Sequence, residues 1–108
     1  MSEFNQRQYR LMLDRLNAFE HGRIALDALV VDLEGLLNAL DGVASDWKQE
    51  FLSDWGKLEE ERAYALFKNV HVLDDETSER IRPTVSRLKL SVLEKIDDPA
   101  DRLRDGLA

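Results

Sequence analysis

The sequence has no cysteine. Disulfides, thiolate nucleophiles and cysteine-based zinc sites are therefore excluded. Proline occurs twice and glycine five times in 108 residues, too few for the many tight turns of a sandwich or barrel. No long apolar run is present. The most apolar stretch, 24–40, is broken by Asp27, Asp32 and Glu34, which leaves it too short and too charged to span a bilayer. The start, Met1 to Arg7, lacks the apolar segment of a secretory signal, so a cytoplasmic location is expected. Positive charge is outnumbered, with 15 Lys and Arg against 22 Asp and Glu. The net charge of −7 makes nucleic acid and anionic membrane poor partners, because phosphate binding needs clustered Lys and Arg.

What remains suits one compact helical domain: 44% of residues are hydrophobic and 34% charged, a balance unlike that of a disordered chain. The spacing predicts an all-α, antiparallel four-helix bundle-like domain covering 1–108, with helices near 5–20, 25–40, 45–68 and 75–96 and a tail at 97–108. In the first helix Tyr9, Met12, Leu13, Leu16 and Phe19 share a stripe, and Gly22 is placed to end it in the left-handed conformation. In the second, Leu26, Leu29, Val30, Leu33, Leu37 and Leu40 form the clearest amphipathic pattern of the chain, with Gly42 as its end. Ser45 is expected to cap the third helix, and Asp46 lies in its first turn, where the helix dipole favours an anion.

Trp47, Phe51, Trp55, Leu58, Tyr64, Ala65 and Leu66 supply the third helix's apolar surface. Gly56 interrupts it at a cost of about 1 kcal/mol relative to Ala; close packing against a neighbour is the expected reason, a kink the other. Residues 69–73 read as a connector with some β character. Asp74 or Asp75 caps the fourth helix, whose apolar positions are Ile81, Val85, Leu88, Val92 and Ile96. Pro83 disfavours helix at Arg82, so the helix either starts near Pro83 or kinks there. Leu26, Val30, Leu33, Leu37, Phe51, Leu58, Val85, Leu88 and Val92 are the expected core.

Chemistry has few footholds. His21 and His71 lie beside expected helix ends and in no ligand spacing; an imidazole there can bond the last carbonyls. No calcium loop, Glu-x-x-His pair, phosphate loop or nucleophile elbow occurs. No catalytic, cofactor-binding or metal-ligating residue is assigned, and an enzyme is not expected.

The distinctive feature is charge placement. Residues 27–61 carry ten acids against Lys48 and Lys57, a net −8 in a chain of −7. Asp27, Glu34 and Asp41 recur every seven residues on the second helix. Asp46, Glu50 and Asp54 recur every four on the third, with Glu61 continuing the line. The short connection 41–45 favours a helical hairpin, and the two stripes merge if their outward faces adjoin. Neither stripe pairs its acids with lysines at i+4, and such clustering repels itself unless a partner neutralises it. A basic nucleic-acid-handling protein is the expected partner, the carboxylates standing where substrate phosphates would. Trp55 is the expected apolar anchor.

The arrangement Tyr9, Leu13, Leu16, Phe19-Glu20-His21-Gly22-Arg23-Ile24, Leu29, Leu33-Glu34, Leu36-Leu37, then Trp47, Phe51, Trp55, Leu58-Glu59, Ala63, then Ile81, Val85, Leu88, resembles small helical bacterial immunity proteins. These are the colicin-D-like immunity proteins and those of contact-dependent growth inhibition systems. The resemblance covers most of residues 9–92 and rests on core and turn positions. It implies an antitoxin that binds its cognate toxin nuclease domain, a tRNase or other RNase, and blocks its active site or an exosite. The expected binding residues are Asp27, Glu34, Asp41, Asp46, Glu50, Asp54 and Trp55, on a protein that is monomeric before binding, without direct nucleic-acid or membrane contact. The alternative is a small self-associating helical adaptor.

Overall fold

The computed structural model describes residues 2–69 and 73–96. They form four helices: α1 (Ser2–Glu20), α2 (Leu26–Ala39), α3 (Ser45–Phe67) and α4 (Asp75–Lys95). The helices pack as a ring, α1 on α2, α2 on α3, α3 on α4, and α4 back on α1. Cross-helix pairs give the directions. Trp47 meets Ser91, Asp54 meets Arg87 and Glu61 meets Arg80, so α3 and α4 run antiparallel. All nine expected core residues are buried, together with Tyr9, Met12, Leu16, Leu29, Trp47 and Ile81. At 25 cal/mol per Å² of apolar surface removed from water, this shared interior is the main stabilising term.

The helix ends show how local chemistry sets the boundaries. Gly22, at φ 73°, closes α1 as the spacing predicts. Its N–H donates to the Phe19 carbonyl at 3.0 Å, and Arg23 N–H donates to Ala18 at 2.8 Å, the paired bonds of a Schellman end. His21 Nδ1 lies 2.7 Å from the Asn17 carbonyl, so the ring donates to a late carbonyl. Asn69, at φ 56°, plays the glycine role at the end of α3, and its N–H reaches Leu66 O at 3.0 Å. Asp74 caps α4, its side chain accepting from Thr77 N–H at 2.8 Å.

Several expectations are corrected. α1 starts at Ser2, not near Asn5, because the side chains at 5 and 6 are tied into the fold. Asn5 donates to Asp41 O at 2.7 Å and accepts from Asp41 N–H at 3.1 Å, while Gln6 donates to Lys95 O at 2.7 Å. Both side chains are buried. They clamp the α2–α3 turn and the end of α4 to the first helix. α2 ends at Ala39, where Leu40 turns extended; Gly42, at φ 66°, shapes the following turn and does not cap the helix.

Ser45 does not cap α3. The helix begins at Ser45 after Ala44, with no side-chain cap, and Asp46 Oδ1 accepts from Trp47 N–H. α4 starts at Asp75, as the expected span 75–96 has it, and runs through Pro83 rather than starting there, so the exposed Pro83 removes one donor from the helix ladder. A Cβ on Gly56 would meet nothing within 4 Å, so close packing is not its reason. Tyr64 and Leu66 are exposed and do not belong to the apolar interior of α3. His71 and the tail 97–108 lie outside the described residues.

Both tryptophans work inside the bundle. Trp47 lies edge-on to Tyr9, with ring centroids 5.7 Å apart, and stacks on Phe51 at 5.4 Å. Its indole N–H donates to Ser91 O on α4 at 3.2 Å. Trp55 donates in the opposite direction, to Val30 O on α2 at 2.9 Å.

Two outcomes follow from this packing. Asn5→Ala strips both partners from the Asp41 peptide groups and should lower unfolding free energy by about 2 kcal/mol, read by urea denaturation. Gly56→Ala should raise it by about 1 kcal/mol, since the added methyl enters open space.

Candidate functional site: the acidic surface

α3 turns its core edge, Phe51 and Leu58, inward. Helical spacing then puts Asp54 and Glu61 on its α4 side and Trp55, Glu59 and Arg62 on its α2 side. The ion pairs agree. Asp54 lies 3.2 Å from Arg87 of α4 and 3.4 Å from Lys57. Glu61 takes both Nε and Nη2 of Arg80 on α4, at 3.0 and 2.7 Å. On the other side Arg62 holds Glu59 through two hydrogen bonds, at 2.6 and 2.8 Å. The Glu59 hydrogen bonds, followed by its charge and those of Asp27 and Glu34, raise the Arg62 pKa above its ordinary value.

The acidic block is thus less uniform than its sequence. Bases from outside it, Arg15, Arg62, Arg80 and Arg87, reach in to Asp32, Glu59, Glu61 and Asp54. Asp27, Glu34, Asp41, Asp46, Glu50 and Glu60 make no ion pair within 4.0 Å among the described residues, and all six are exposed. Five of these are among the seven expected binding residues. Asp54 is the departure: its carboxylate is only 16% exposed and shared by two bases. Trp55 is the other, half-buried with its N–H used on Val30; its first task is joining α2 to α3.

The two stripes do not merge. Asp27 and Glu34 flank the α2–α3 seam, where Arg62 lies in their field. Asp46, Glu50 and Asp54 occupy the α4 side of α3. Asp41 leaves the first stripe altogether, because α2 ends at Ala39 and Asp41 sits in the turn held by Asn5.

A residue beyond the sequence-derived set joins the second stripe. Glu50, Ser53 and Asp54 of α3 and Arg87, Leu90 and Glu94 of α4 line a shallow groove. Arg87 is the base of this lining, and its Nε is turned to Asp54. Glu50 and Glu94 have no base within 4.0 Å among the described residues, and Leu90 is 62% exposed. The α4 spacing alone did not single out Glu94; its meaning depends on the antiparallel register with α3. Among the described residues, no group of three or more His, Asp or Glu side chains could hold a metal ion, and no helix is long and apolar enough to cross a membrane.

Comparison with protein-family models, with curated proteins and with solved structures returned no match.

The Arg62 hydrogen bonds hold the Glu59 carboxyl below its ordinary pKa of 4.5. A depressed carboxylate gives stability that is full above the ordinary pKa and is lost as pH falls through its folded value. Glu59→Gln should therefore remove a small increment of stability at neutral pH and flatten the fall below about pH 4.5 by that same increment. Thermal unfolding followed across that range checks this.

Proposed function

We propose that this chain is an immunity protein that binds and neutralises the nuclease domain of a cognate bacterial toxin, an RNase or tRNase. The observation that carries the proposal is the α3–α4 groove, where Glu50 and Glu94 have no base within 4.0 Å among the described residues while Arg87 is turned to Asp54. A basic active site or exosite supplies the missing countercharge. Asp46 extends the acidic edge along α3, and the exposed Leu90 offers apolar area between the carboxylates. Asp27 and Glu34 form a second acidic patch at the α2–α3 seam. Asp41 sits at the turn, Asp54 serves as an internal brace, and Trp55 offers only the exposed part of its ring. The carboxylates take the positions of substrate phosphates, and their field accelerates encounter at low salt. The resemblance to helical immunity proteins supports the same reading and implies a cytoplasmic location.

A second reading, a self-associating adaptor, is favoured by one feature. Tyr64, Leu66 and Phe67 are 59%, 67% and 83% exposed near the end of α3, an apolar cluster of the kind found at interfaces. Sedimentation separates the two: a dimer abolished by Phe67→Ser supports the adaptor, and a monomer supports the inhibitor.

The binding test uses the toxin nuclease domain that the proposal expects the reading frame immediately upstream to encode. Glu50→Lys with Glu94→Lys should weaken binding at least tenfold, about 1.4 kcal/mol, with helical content unchanged. Raising salt should slow association far more than it speeds dissociation. Unchanged affinity in the double variant removes the acidic groove as the binding face.

A further inference from the structure

A second concavity, of about 660 Å³, opens at the other end of the bundle, between the α1–α2 turn, the last turns of α3 and the first half of α4. Its volume lies within the usual range for small-molecule sites, which are mostly apolar with a few convergent polar groups. Phe19, Ile24, Leu73, Ile81 and Val85 supply the apolar lining. Three arginines from three different elements share the lining: Arg23 from the turn, Arg62 from α3 and Arg82 from α4.

Two carboxylates share the lining. They are Glu20, already held by Lys89 at 2.7 Å, and Asp27, which lies in the field of Arg62. Arg62 gives Nε and Nη2 to Glu59, which leaves its Nη1 uncommitted. Arg82 meets Glu79 through Nη2 at 2.6 Å. Arg23 has no ion pair within 4.0 Å among the described residues. α2 also begins here, at Ala25 and Leu26, without a side-chain cap. We infer that this cleft binds a small organic anion with an apolar body, such as a medium-chain carboxylate. The chain lies on Ile24, Leu73 and Ile81, and the carboxylate takes hydrogen bonds from Arg23 and Arg82. The site is separate from the acidic groove and does not depend on the toxin-binding proposal.

Sodium decanoate, kept below its micelle concentration, is the probe, and methyl NMR with calorimetry the readout. Saturable shifts confined to Ile24, Leu73, Ile81 and Val85 are expected. Arg23→Gln with Arg82→Gln should weaken binding at least fivefold; both side chains are exposed, so the fold should persist by circular dichroism. Decyltrimethylammonium, with the same chain and opposite charge, should bind far less. Absence of saturable binding, shifts spread over the whole protein, equal binding of the cation, or an unaffected double variant would each overturn the inference.

Discussion

The rotation of α3 about its own axis governs the surface of this protein, and two indole hydrogen bonds fix that rotation. Trp47 reaches Ser91 on α4, and Trp55 reaches Val30 on α2. The two bonds leave α3 on opposite sides, two turns apart, so the helix cannot roll without breaking one of them. Aromatic packing of Trp47 between Tyr9 and Phe51 adds to the constraint. Phe51 and Leu58 then point inward, and every acid on α3 receives a fixed neighbour or none.

That rotation sorts the carboxylates. Asp54 and Glu61 turn toward Arg87 and Arg80 and become braces between α3 and α4. Glu59 is taken by Arg62. Arg87 goes to Asp54 rather than Glu50, Glu94 lines the same groove as Glu50, and among the described residues Asp46, Glu50 and Glu94 have no base within 4.0 Å. A block that is almost uniformly acidic in sequence becomes a braced interior edge and an unneutralised outer one. The division matters because a surface charge already paired inside the fold gains little from a partner, whereas an unpaired one gains fully and steers encounter.

Local periodicity made the helices and the core legible. The Leu26, Leu33, Leu37 series and the Val85, Leu88, Val92 series need only a 3.6-residue repeat to be read, and Gly22 needs only its left-handed conformation. Long-range partnerships were not legible. Nothing near Asn5 announces that its amide will satisfy a peptide 36 residues away, and nothing near Trp55 announces Val30. Whether the two acidic stripes merge was not legible for the same reason. A seven-residue repeat fixes a face within one helix, but only tertiary register fixes which faces adjoin. Asp41 failed for a local reason, because α2 stops two residues before it.

For the inhibitor proposal, the most direct measurement is an NMR footprint of the proposed toxin nuclease domain on the isotope-labelled protein. The largest backbone and methyl shifts should fall on Asp46, Glu50, Leu90 and Glu94, with α1 nearly silent. A footprint centred on α1, or on Phe67 at the end of α3, would contradict the claim that the rotation of α3 creates the binding face.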